Sequence, residues 1–147
     1  MPIITEAFFP QYFVNPVTKQ IELAYQPRIT IFLKIQGLLY PFKIQPFVDS
    51  GATRNLFPMD PLEILHIPLD NGRKRIHFGI GGVEVTSYTH DVEILVGDLR
   101  IQTEIDFSAK QKAPLLGIEK FFEYFDNISF NMKRSQIELR YMIKRSN

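Results

Sequence analysis

One carboxylate in this chain stands where a carboxylate is costly. Phe47 and Val48 close an apolar run, Asp49-Ser50-Gly51-Ala52-Thr53 follows, and Leu56-Phe57 resumes the apolar pattern. An acid directly after such a strand is unfavourable unless it is hydrogen-bonded or has work to do, and the work a carboxylate does is proton transfer. Gly51 permits a tight turn and the close approach of another backbone. Ser50 adds a hydroxyl able to bond across to a partner loop. By residue type alone, Asp-Ser-Gly is equally an ordinary strand-ending turn, since all three are common turn formers. Two other stretches stand out. Ala113-Pro114-Leu115-Leu116-Gly117 is a short apolar run ending in glycine, and Phe78-Gly79-Ile80-Gly81-Gly82 has the make-up of a mobile hairpin tip between two strands.

Other chemistries find less support. The chain has no cysteine, which excludes disulfides, thiolate nucleophiles and cysteine-ligated zinc. His66, His77 and His90 are scattered without tight ligand spacing, so no metal is expected. Ser50 lacks the Gly-x-Ser-x-Gly context of a hydrolase nucleophile. The net charge of +1 gives no long-range pull toward nucleic acid or an anionic membrane. The basic cluster Lys133, Arg134, Arg140, Lys144 and Arg145 therefore marks a solvated surface rather than a nucleic-acid platform, even with Tyr141 nearby. Arg73-Lys74-Arg75 is expected in a charged loop before a strand. The N-terminus has neither a basic nor a long apolar region of the kind that directs secretion, and no apolar run approaches the ~20 residues that span a bilayer. A soluble, cytoplasmic protein is expected.

The 147 residues, 45% of them hydrophobic, fit a single domain over residues 1–147 with a real core. Residues 28–36 (RITIFLKIQ) alternate at period two, as a half-buried strand does. Residues 39–48 provide its hairpin partner, with Gln36-Gly37 in the turn, and Pro41 and Pro46 confine that run to an edge or split it. Residues 3–9 and 20–25 are weaker strands joined by a turn around Asn15-Pro16. Further strands are predicted at 74–78, 83–87, 91–96, 99–106, 128–132 and 136–142, the last two around a turn at Lys133-Arg134-Ser135. Short helices are predicted at 58–65 and 118–125. In the second, Phe121, Phe122 and Phe125 form a stripe that belongs to the core rather than to an apolar ligand. Residues 144–147 are expected to fray. Many short strands and one or two short helices predict a mainly β, closed barrel-like domain.

With these elements in place, the chain resembles a known family. Asp49-Ser50-Gly51-Ala52 is similar to the Asp-(Thr/Ser)-Gly-Ala signature of retropepsin-like aspartic proteases. Leu115-Leu116-Gly117 resembles the hydrophobic-hydrophobic-Gly element that lies against that loop in the family, and Gly79, Ile80, Gly81 and Gly82 resemble the flap tip that closes over substrate. The three come in the family's order and spacing, and the stretch LLGIEKFFEYFDNISFN is similar to the end of bacterial single-domain members. The resemblance spans approximately residues 28–141 and implies the acid-protease fold. Residues 1–26 are an N-terminal extension of unknown role.

The resemblance also implies a homodimer acting on polypeptides without a cofactor. Each chain would give one catalytic residue, Asp49, supported by Ser50, Gly51 and Ala52, with Leu56, Leu115 and Ile80 at pocket positions. The alternative is a catalytically inactive module of the same fold that dimerises or binds peptide. Its motive is a departure: many retropepsins have an acid at the position of Thr53 and an arginine at that of Ile118, an ion pair supporting the dimer, and this chain has neither.

Overall fold

The computed structural model describes residues 2–78 and 80–142. Thirteen strands appear among them: β1 (Ile3–Ala7), β2 (Phe9–Val14), β3 (Ile21–Gln26), β4 (Phe32–Ile35), β5 (Leu38–Leu39), β6 (Phe47–Val48), β7 (Leu56–Pro58), β8 (Arg73–Phe78), β9 (Glu84–Val96), β10 (Leu99–Ser108), β11 (Leu115–Leu116), β12 (Asn127–Asn131) and β13 (Gln136–Arg140). One five-residue helix, α1 (Asp60–Ile64), has Pro61 at its start, where a missing N–H costs nothing. The principal sheet runs β5-β4-β9-β10-β7-β11-β6, with β8 also paired to β9. A second sheet has the order β1-β13-β12, and β2 with β3 form a separate hairpin.

The period-two pattern at 28–36 is a core-facing stripe: Ile29, Ile31, Leu33 and Ile35 are all buried. Gln36 and Gly37 both take positive φ, as a two-residue hairpin turn requires, and they return the chain to β5. Beyond β5 the run splits, as its prolines dictate. Ile31 and Ile44 exchange both backbone hydrogen bonds, whereas two residues on Pro46 accepts from the Ile29 N–H at 3.2 Å and has no N–H to return. The route from β6 back toward β4 is therefore made of isolated bridges, Ile31–Ile44 and Arg28–Phe47. Among the described residues no sheet closes into a barrel, a correction to the closed architecture expected from strand count.

Four further expectations change in detail. Residues 20–25 pair with Phe9–Val14 rather than with 3–9, while Ile3–Ala7 joins β13. Arg73-Lys74-Arg75 opens β8 itself instead of preceding it. The two strands expected at 83–87 and 91–96 are one strand of 13 residues, β9. Ser87 at the end of the first and Thr89 and His90 between them are buried rather than looped out. The second helix does not form; only Phe122–Tyr124 makes a 3-10 turn. Lys120 has φ +74°, and its carbonyl accepts from Asn55 Nδ2 at 3.1 Å and Thr103 Oγ1 at 2.5 Å, which holds that backbone out of a helix. The phenylalanine stripe nevertheless serves the core. Phe121 is fully buried, with its ring 5.1 Å from Phe125 and 6.3 Å from Phe122. Gly79, the side chain of Ile80 and the tail expected at 144–147 lie outside the described residues.

Phe121→Ala removes a ring with no solvent exposure. It is expected to lower unfolding free energy by about 3–5 kcal/mol in a denaturant titration.

Candidate active site

Strands β6 and β7 flank β11. β6 pairs parallel to it (Leu115↔Phe47, Leu116↔Val48), and β7 pairs antiparallel (Leu115↔Leu56). The chain from β6 to β7, residues 49–55, must therefore cross the C-terminal end of β11. Asp49 sits at the start of that crossing. Its backbone N–H donates to the Leu116 carbonyl at 3.0 Å, which extends the parallel ladder by one residue. Its carboxylate Oδ1 accepts from the Gly51 N–H at 2.8 Å, and its carbonyl accepts from the Ala52 N–H at 3.1 Å. The acid is half-buried, and Ser50 and Gly51 beside it are exposed.

Gly117 lies directly beneath the crossing. A Cβ there would stand 2.5 Å from the Arg54 carbonyl oxygen and 2.8 Å from that of Ala52, closer than atoms approach. The Gly117 N–H donates to Asn55 Oδ1 at 2.9 Å, the Ile118 N–H to the Ala52 carbonyl at 2.9 Å, and the Glu119 N–H to the Thr53 carbonyl at 2.8 Å. The glycine that ends Leu115-Leu116-Gly117 is thus demanded by backbone contact with the Asp49 loop. Leu56 and Leu115 are half-buried cross-strand neighbours on this floor, one strand from Phe47.

Gly81 and Gly82 lie at the exposed tip of the β8–β9 hairpin with φ of +81° and +76°, a conformation glycine adopts without strain. A cavity of about 580 Å³ is lined by Lys34, Glu93, Gln102 and Lys120 among others, and Asp49 is not part of its lining.

Two features under this loop escaped the sequence reading. The first is Asn55, 1% exposed, whose Nδ2 donates to the carbonyls of Glu104 (3.0 Å) and Lys120 (3.1 Å) while its Oδ1 holds Gly117. Its only signal was an amide inside an apolar segment. The second is an ionic network around Asp106, which is completely buried. Arg54 grips it with Nε at 2.8 Å and Nη2 at 3.1 Å, and reaches Glu104 at 3.0 Å. Thr89 Oγ1 donates to Asp106 at 2.6 Å, and His77 Nε2 stands 3.3 Å away. Burial pushes the Asp106 carboxyl up, but the hydrogen bonds from Arg54 and Thr89 and the charges of Arg54 and His77 outweigh it, so the group lies below the usual range. The same carboxylates hold the Arg54 guanidinium above its ordinary value, against the opposing effect of burial.

Arg54 Nη1 also stands 3.7 Å from Glu119. Thr53 and Ile118 carry no charge, but one position later in each segment an opposite pair exists, with the signs reversed. Glu119 is more than half exposed, so this contact adds little beside the buried one.

With this geometry in view, comparison with solved structures is decisive for the fold. A crystal structure of a retropepsin-like aspartic protease from Rickettsia conorii superposes with a TM-score of 0.60 at 16% identity, covering 95% of this chain and 99% of that one. The fold is retropepsin-like. EIAV protease complexed with the inhibitor HBY-793 aligns at 21% identity over 63% of this chain and 81% of that one, with a TM-score of 0.45. No protein-family model and no curated protein matches the sequence. Among the described residues of this retropepsin-like chain, no helix is long and apolar enough to cross a membrane, and no cluster of His, Asp and Glu is arranged to hold a metal.

Two outcomes follow. Asn55→Ala strands the Gly117 N–H, which is expected to cost about 3 kcal/mol in thermal or chemical unfolding. The Asp106 carboxyl is depressed in the folded state, so its contribution to stability is present above its unfolded pKa of ~3.9 and disappears as pH falls through the lower folded value. Wild type should lose stability over that acidic window more steeply than Asp106→Asn, measured as melting temperature against pH.

Proposed function

We propose that the chain is one half of a homodimeric aspartic endopeptidase, with Asp49 as its catalytic residue. The observation that carries this is the position of Asp49: an exposed loop at the end of β6, clamped on the Gly117 turn, within a retropepsin-like fold. A single half-buried carboxylate on an open surface is half of a site, and a twofold axis beside it supplies the other half.

Two Asp49 carboxylates brought together cannot both ionise, so they share one proton. The ionised member takes a proton from water as general base. The protonated member hydrogen-bonds the scissile carbonyl and stabilises the charge that develops there. The pH dependence then belongs to the pair rather than to either residue. In this reading Ser50, Gly51 and Ala52 fix the carboxylate's orientation, the hairpin tip bearing Gly81 and Gly82 covers the substrate, and the substrate adds as an extended strand with side chains near Leu56 and Leu115. Water and the two carboxylates suffice, and no cofactor enters.

The uncharged Thr53 and Ile118 favour a second reading, a dimerising or peptide-binding module without turnover. One experiment separates the two. Wild type and Asp49→Asn are incubated with an unstructured polypeptide mixture from pH 4 to 7, and fragments are identified by mass spectrometry. The endopeptidase reading expects cleavage by wild type and a loss of at least about 100-fold in the variant. A dimeric wild type without cleavage at any of these pH values supports the inactive module instead.

A further inference from the structure

Strands β2 and β3 pair with each other and with no other strand among the described residues. Directly opposed residues of an antiparallel pair share a face, so the register Pro10↔Tyr25, Tyr12↔Leu23, Val14↔Ile21 defines one face of this hairpin. All six of its residues are apolar or aromatic, and all are exposed, from 42% at Leu23 to 74% at Ile21 for those with large side chains. The opposite face, Phe9↔Gln26, Gln11↔Ala24 and Phe13↔Glu22, is mixed and mostly half-buried. A two-stranded hairpin is marginal in water by itself. One with its apolar face turned to solvent needs something to cover that face.

The root of the hairpin limits what that can be. The Pro27 carbonyl accepts from the Val48 N–H at 2.8 Å, one residue before Asp49. The Arg28 guanidinium stacks on Phe47, 4.0 Å from its centroid, and lies 5.5 Å from that of Phe9. The root of the arm therefore lies against β6, the strand that leads into Asp49, and its six-residue strands extend ~20 Å. We propose that this arm embraces a second copy of the chain, laying the Pro10, Tyr12, Val14, Ile21, Leu23 and Tyr25 face against its partner. The inference rests on the homodimer reading: any copy that brings its Asp49 to this one comes within reach of the arm.

Area supports the same occupant. The exposed apolar face offers on the order of 500 Å², against ~800 Å² per partner in a stable association. Under twofold symmetry each protomer gives one arm and receives one, which roughly doubles the area and meets the requirement. The arm thus replaces the support that charges at Thr53 and Ile118 do not provide.

The test is sedimentation of the full chain across a wide concentration range, for wild type, Tyr12→Thr/Leu23→Thr and Gln11→Thr. Threonine keeps strand propensity while removing apolar area, and Gln11 lies on the other face. Wild type should dimerise, the double variant should weaken the dimer at least about tenfold, and Gln11→Thr should match wild type. Because the chain lacks cysteine, Val14→Cys carries a single spin label. The label should lose mobility on association if the partner covers this face and keep its mobility if the dimer forms elsewhere, a readout that holds even where the double variant unfolds its hairpin. A wild-type dimer indifferent to the double variant overturns the arm, and so does a wild type monomeric at every concentration. Dimerisation through the arm without Asp49-dependent cleavage keeps the arm and overturns the protease reading. Asp49-dependent cleavage by a dimer indifferent to the face does the reverse.

Discussion

Where the chain crosses from β6 to β7 over the end of β11, the Gly117 backbone lies against the carbonyls of Ala52 and Arg54 with no room for a Cβ. Asn55 makes that meeting possible. Its amide satisfies the Gly117 N–H and the carbonyls of Glu104 and Lys120, groups that no strand ladder reaches at the crossing. A buried amide with each of its bonds made specifies one arrangement, because any shift strands a donor or an acceptor. Gly117 adds a steric condition, since a Cβ there would collide with the Arg54 carbonyl. Together they fix where the loop bearing Asp49 ends and how closely it lies over the end of β11.

The ionic network beneath extends this order outward. Arg54 continues the crossing and anchors on Asp106 in β10, while Thr89 in β9 and His77 in β8 meet the same carboxylate. The hairpin that ends at Gly81 and Gly82 is thereby joined to the Asp49 loop through one buried acid. Removing either partner of such a pair leaves an uncompensated charge, which is more harmful than never having had the pair. The loop and the hairpin are accordingly coupled in stability although they are far apart in sequence.

Much of this was legible beforehand where one local rule decided the outcome. The alternation of Ile29, Ile31, Leu33 and Ile35, the Gln36-Gly37 turn and the splitting effect of Pro41 and Pro46 follow from backbone chemistry. So did the loop at Asp49-Ser50-Gly51 and the apolar run ending in Gly117. What stayed hidden depends on partners distant in sequence. Lys120 leaves the helical region because Asn55 and Thr103 claim its carbonyl. The polar middle of β9 stays in its strand because Thr89 meets Asp106 and Ser108 Oγ donates to the Thr86 carbonyl across the same sheet. Nothing local marks Arg54, because its partner Asp106 lies 52 residues further on. The barrel stayed open because Pro46 returns no hydrogen bond, a consequence visible only once Ile29 was seen opposite it.

In the proposed enzyme, two Asp49 carboxylates act as one unit across a twofold axis. The most direct measurement mixes wild type with Asp49→Asn under subunit exchange, at constant total protein, and follows peptide cleavage against the wild-type fraction. A shared pair predicts a rate that falls with the square of that fraction, because only doubly wild-type dimers hold both carboxylates. A rate that falls in simple proportion would contradict it, for then each chain works alone.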